Sequence, residues 1–212
     1  VTEPLQLGLF GDSRRHVLNT PDYPEFRERL AAFDCRACGL WQGRTRLVVD
    51  RGNPGAGLLV VGEAPGEQED LQGLAFVGRA GRLLDDLMAS AGLDTRREML
   101  ITNVVKCRPP QNRVPSPEEA RACLPFLRRQ MELVRPSCVL LLGATAARHL
   151  FPLSVIGPLR DRVGTFFEDP DHPGVRFMLL YHPAYLLRDP RKKKDAWEHV
   201  LRFRDWWLSR GG

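Results

Sequence analysis

The chain is short of the features that mark several large classes of protein. It has only five cysteines, at 35, 38, 107, 123 and 138. An odd number in a chain without a secretory leader argues against a disulfide framework. No apolar run approaches the roughly 20 residues that span a bilayer. The opening stretch VTEPLQLGLFGDSRRH has no basic segment followed by an apolar one, so it lacks the layout of a signal peptide. There is no internal repeat and no stretch that reads as a domain linker. These absences point to a soluble, cytoplasmic protein with no membrane partner, and a monomer is the default expectation.

A chain of 212 residues is long enough to bury a full core. The expected organisation is a single α/β domain over residues 21–212, preceded by a loosely ordered arm over residues 1–20. Lys and Arg outnumber Asp and Glu by 31 to 26, and the pI is about 9.2. That excess suits a protein that meets a polyanion on one face, without demanding one.

Four short runs are apolar throughout: 58–62 (LLVVG), 99–105 (MLITNVV), 138–143 (CVLLLG) and 177–181 (FMLLY). Unbroken runs of this length predict strands buried on both faces of a parallel sheet. Helical patterns fall between and after them. Residues 81–91 place Leu83, Leu84, Leu87 and Met88 on one face. Ser116 and Pro117 open a helix with a cap and a first-turn proline, which Pro125 is expected to kink or end early. Residues 144–150 and 195–208 complete the alternation. The predicted fold is therefore a four-stranded parallel sheet flanked by helices.

Ligands of parallel α/β sheets bind beyond the carboxyl ends of the strands. Here those ends carry Glu63-Ala64-Pro65-Gly66, then Asn103 followed by Lys106-Cys107-Arg108-Pro109-Pro110, then Gly143-Ala144-Thr145, then His182-Pro183-Ala184-Tyr185-Leu186. A carboxylate, a carboxamide, a small-residue turn and an imidazole should gather at one rim. Any one of these alone is an ordinary turn or a structural side chain; four endings in register point to a polar pocket. Separately, Cys35 and Cys38 form a C-x-x-C pair, and Cys107 and Cys123 offer two further thiols. Such a set can complete a zinc site or an iron–sulfur site, and spacing does not separate the two. Cys138, inside an apolar run, reads as a core residue.

The motifs GEAPGEQED (62–70), FVG (76–78), TNVVKCRPP (102–110) and HPAYLLR (182–188) together resemble the iron–sulfur, thermophile-type (family 4) uracil-DNA glycosylases. The resemblance runs from about Cys35 to the end of the chain. It departs at Leu74-Ala75, where the family often has a basic residue and a proline, and in the longer N-terminal arm. It implies a uracil-DNA glycosylase-like fold with a structural 4Fe–4S cluster on Cys35, Cys38, Cys107 and Cys123. The implied activity is hydrolysis of the N-glycosidic bond of deoxyuridine in DNA, leaving an abasic site, with uracil-containing DNA as partner. Such an enzyme extrudes its target nucleotide. Phe76 is then the stacking platform, and Asn103 reads the uracil edge through its donor and acceptor. His182 and the Ala64 amide, in the turn with Pro65, face the charge that develops at O2. Glu63 is the carboxylate for water, and Glu69 approaches the C5 edge. Leu186 is expected to wedge into the vacated stack. Arg108, Gly143, Thr145, Arg188 and Lys192 are expected to meet the DNA backbone. A related branch bonds covalently to DNA through a histidine-bearing loop; residues 109–117 here contain no histidine, which favours turnover.

Overall fold

Alternation of side chains builds the centre of the molecule. In the computed structural model, which describes residues 13–152 and 156–211, each buried strand sends successive residues to opposite faces. Strand β2 (Leu58–Gly62) gives Leu59 and Val61 to one core and Leu58 and Val60 to the other. Strands β3 (Leu100–Asn103), β4 (Cys138–Leu142) and β6 (Arg176–Leu180) divide in the same way. Because both faces are covered, polar alternation is absent and the runs read as continuous apolar sequence.

These four strands are parallel, in the order β3-β2-β4-β6. The sheet does not stop at four strands. β1 (Arg51–Gly52) pairs antiparallel with β3, and β5 (Phe166–Glu168) pairs antiparallel with β6, giving a six-stranded mixed sheet. Each added strand is only two or three residues long, too short to carry a period-two or apolar-run signal. The chain runs from β2 to β3 on one side and later to β4 on the other, so the strand order reverses between β2 and β4. That reversal opens the crevice in which α/β sheets bind ligands.

One face is covered by α1 (Arg15–Leu18), α2 (Tyr23–Ala32) and α5 (Pro117–Val134), the other by α4 (Arg79–Ser90) and the C-terminal helix α9 (Lys193–Leu208). Of the expected arm over 1–20, residues 1–12 lie outside the described residues. Residues 15–18 form α1, with Val17 fully buried. Helix α5 is opened by a reciprocal capping box between Ser116 and Glu119. Of the two expected outcomes at Pro125, a kink or an early end, the early end does not occur: the helix continues through it. The missing proline N–H costs one backbone bond, but Ala120, Cys123, Leu124, Phe126, Leu127 and Met131 anchor both sides of it in the core. No helix among the described residues is long and apolar enough to cross a membrane.

A fully buried ammonium closes the end of β3. Lys106 Nζ donates to Thr102 Oγ1 (2.6 Å), to the Asn103 carbonyl (2.8 Å) and to Gln130 Oε1 of α5. Gln130 Nε2 donates in turn to the Tyr23 hydroxyl (2.8 Å), which donates to Asp50 (2.6 Å). Arg27 meets the second Asp50 oxygen at 3.0 Å. Burial lowers the Lys106 pKa to about 8, while Cys123 and Asp50 pull it upward. Lys106→Met keeps the apolar stem and removes the only donor that joins these three oxygens. A buried acceptor left without a donor costs about 1–3 kcal/mol, partly offset by relief of the ammonium's own desolvation. The expected loss of unfolding free energy is about 2–4 kcal/mol, read from the urea midpoint; an unchanged midpoint would mean that the three oxygens find other donors.

Candidate active site

The carboxyl ends of the parallel strands open into one cavity of about 860 Å³. Its wall includes Glu63, Ala64, Pro65, Glu69, Phe76, Asn103 and His182, together with Gly143, Thr145 and Arg188. Segments far apart in sequence meet here because the register aligns them. Gly62 pairs with Asn103, and the Gly143 N–H donates to the Leu180 carbonyl at 2.9 Å.

Asn103 is the chemically unusual member. Its residue is 1% exposed, and neither Oδ1 nor Nδ2 has a hydrogen-bond partner among the described residues. An unsatisfied buried carboxamide is costly, and this one borders the cavity with both a donor and an acceptor free. Phe76 lies against it with φ +54°, a left-handed conformation that strains a phenylalanine. Two glycines make the arrangement possible. A methyl on Gly62 would stand 2.4 Å from Phe76 Cζ and 2.5 Å from Asn103 Oδ1. One on Gly81 would collide with the Phe76 carbonyl.

His182 caps α8 (Pro183–Arg188) and accepts the Ala184 N–H on Nδ1 at 3.1 Å. That bond places the proton of the neutral ring on Nε2, leaving Nε2–H as a donor. Burial, reinforced by the Arg188 guanidinium, pushes its pKa down to about 4. The ring lies 5.8 Å from that of Phe76, inclined by 37°. Glu69, expected toward the C5 edge of uracil, has both carboxylate oxygens engaged within the protein. Its oxygens accept the Gly78 N–H (2.7 Å) and the Gly66 N–H (3.1 Å). It thereby clamps α3 (Glu67–Gln72) to the start of α4.

Three expected DNA contacts lie off this wall. Leu186 is 1% exposed and turned into the packing beneath α8, beside Leu84, Met88, Ala196 and Val200, so it presents nothing to a partner. Helix geometry is the reason: α8 docks on α4 through that face. Neither Lys192 nor Arg108 lines the cavity: Lys192 pairs with Asp195 (2.9 Å), and Arg108 donates to Asn112 (2.8 Å) and Glu67 (3.4 Å). Sequence reasoning missed Arg79, Arg148, Arg160, Tyr181 and Tyr185, all of which line the cavity. Tyr185 could have been found from helical spacing, because a helix that buries Leu186 turns its neighbour outward. The arginines carry no local signal.

Four of the thiols lie in one core cluster, a candidate second centre. Cys35, Cys107 and Cys123 are buried, and Cys38 is half-buried against the same core. Arg44 donates to the Cys35 carbonyl and to Cys107 Sγ (3.7 Å), and the Lys106 N–H donates to Cys123 Sγ (3.3 Å). Burial pushes the Cys107 thiol up to about 11 and that of Cys123 to about 12, with neighbouring cysteines adding to both. Cys138 stands apart in β4 as a core residue, as expected. Among the described residues, no three metal-binding side chains are gathered tightly enough for a single ion.

The His182 geometry makes a direct prediction. Imidazole nitrogen shifts of labelled protein should show this ring neutral, with Nε2 protonated, down to the neighbourhood of pH 4, well below the ordinary value of about 6.5. An imidazolium at pH 6 would contradict the tautomer.

Comparison with known proteins agrees with this geometry. The model of the uracil DNA glycosylase superfamily matches residues 49–203. The type-4 uracil-DNA glycosylase of Archaeoglobus fulgidus is 41% identical over 166 residues, covering 76% of this chain and 82% of that protein. That of Thermotoga maritima is 42% identical, covering 73% and 79%. That of Sulfurisphaera tokodaii is 38% identical, covering 81% and 79%. A chain with this rim and these relatives belongs to the uracil DNA glycosylase superfamily, in its type-4 branch.

Proposed function

We propose that this protein takes an extruded deoxyuridine of DNA into the cavity and hydrolyses its N-glycosidic bond. Water adds to C1′, uracil leaves with a proton, and an abasic site remains. The observation that carries the reading is the buried carboxamide of Asn103, without a partner among the described residues, beside a neutral imidazole in one cavity. The Asn103 Oδ1 accepts uracil N3–H while Nδ2 donates to O4. Cytosine offers a bare N3 and an amino group at those positions, so one fixed amide orientation rejects it. The Phe76 ring stacks on the base. Because N1 leaves as an anion with charge largely on O2, the His182 Nε2–H and the Ala64 amide stabilise the bond-breaking step. Glu63 lines the same cavity and is assigned to orient water and to balance the cation-like sugar. Glu69, fixed by two amides, is assigned to hold the wall toward the C5 edge rather than to move a proton. Gly143, Thr145 and Arg188 are assigned to the DNA backbone, with the protein acting as a cytoplasmic monomer.

The donor set of the second centre fits an iron–sulfur cluster. The four thiols share one packed core, and buried thiolates need a cationic partner. Cys35, Cys38, Cys107 and Cys123 would hold it, and its contribution is to fold the chain. It would tie the segment after α2 to the end of β3 and to α5, which brackets Lys106 and hence Asn103. Hydrolysis moves no electrons, so no step calls on it.

Two measurements check these assignments. A uracil-containing oligonucleotide treated with the protein and then alkali should break at uracil. His182→Ala should lower the single-turnover rate by about 10²–10³-fold, the usual cost of one such donor, and Asn103→Ala should lower it with loss of discrimination against cytosine. Intact strands with a retarded band would turn the reading toward a non-catalytic binder. Purified protein should be brown and contain iron without zinc, and Cys35→Ala should lose both iron and thermal stability; unchanged iron would dismiss this ligand set.

A further inference from the structure

Extruding a nucleotide leaves a gap in the duplex that must be filled, or the base falls back. The burial of Leu186 removes the leucine at the expected position, and the structure offers a different side chain. We propose that Tyr185 is the residue that enters the vacated base stack; this rests on the uracil-DNA reading above and deepens it.

Tyr185 follows His182 by three residues, and its N–H donates to the His182 carbonyl at 2.9 Å. The wedge is thereby fixed in register with the group assigned to the leaving base. Its ring lines the cavity and is only partly buried, whereas the next residue points into the core. The ring is also braced. Tyr181 lies 5.6 Å away at an inclination of 35°, and the hydroxyl reaches Asp189 at 3.5 Å. Arg188, one turn on and on the same wall, places a cation beside it for the flanking phosphate. A planar aromatic ring stacks between bases irrespective of their identity, which is what a gap-filling residue in a repair enzyme needs. The exposed large apolar side chain on the rim among the described residues is Val114, at 58% exposure. It is a short branched residue on a different loop, without an aromatic face and without a covalent tie to His182.

The test uses the full protein and duplexes holding one uracil opposite either adenine or a pyrene nucleotide. Pyrene occupies the space of a base pair and pushes the uracil out, so it replaces a missing wedge. Tyr185→Ala should lose about tenfold to a hundredfold in kcat/KM opposite adenine, the usual worth of one stacked base, and should recover most of it opposite pyrene. Tyr185→Phe, which keeps the ring, should recover the rate lost in the alanine variant. Leu186→Ala should lower the melting temperature, with no recovery by pyrene. A Tyr185→Ala rate within about twofold of wild type opposite adenine, or pyrene recovery in Val114→Ala or Leu186→Ala instead, overturns the assignment of Tyr185. If the wild-type protein excises no uracil from either duplex, it is the proposed function that fails.

Discussion

A buried ammonium holding the end of a strand is the constraint on which the rest of this site depends. Lys106 brings three donors to three oxygens, one on β3 itself, one the carbonyl of Asn103 and one on α5. A lysine in the interior is expensive unless each donor is used, and here each is. The result is a strand end whose backbone cannot rotate. The backbone that carries the Asn103 carboxamide is therefore held, although none of the described residues bonds to the carboxamide itself. The chain from Gln130 through Tyr23 and Asp50 to Arg27 extends the same anchoring to α2. Recognition at the rim and packing at the far side of the sheet are thus one mechanical unit.

Around this anchor, satisfied and unsatisfied groups are sharply divided. Glu69, Lys106 and His182 Nδ1 have their bonds made internally, and these groups fix position. Asn103 and the Nε2 face of His182 are left for a ligand. Phe76 adds backbone strain, tolerated because Gly62 and Gly81 leave room for it. A strained Phe76 backbone beside the unmet carboxamide of Asn103, on one cavity wall, is the pattern of a preorganised site. Neutrality of the imidazole belongs to the same design, since burial and Arg188 both oppose its charge.

Much of this was legible residue by residue. The apolar runs located the four parallel strands because strands covered on both faces need apolar side chains throughout. Their polar endings located the rim, since chain direction in a parallel sheet brings every carboxyl end to one edge. What escaped had no local signature. The strands at 51–52 and 166–168 are pairing events at the sheet's edges. Pro125 reads as a helix breaker, yet the core on both sides of it carries α5 through. Leu186 and Tyr185 are adjacent, and only the docking of α8 against α4 decides which is buried and which faces the cavity. Lys106 reads as one more basic residue near a loop until the fold surrounds it with oxygens.

The amino-acid sequence alone determined the chemistry present: which side chains end each strand, which thiols are available, where helices are capped and which runs must be covered. These follow from local propensity and from the cost of wetting apolar surface, both properties of short segments. Tertiary structure alone decided orientation: that Asn103 has no partner among the described residues, that His182 is neutral with its proton on Nε2, and that Glu69 is tied down. Glu69 and His182 Nδ1 are bonded by near neighbours in sequence, but whether a group is buried and what surrounds it are set by packing, which no short segment contains.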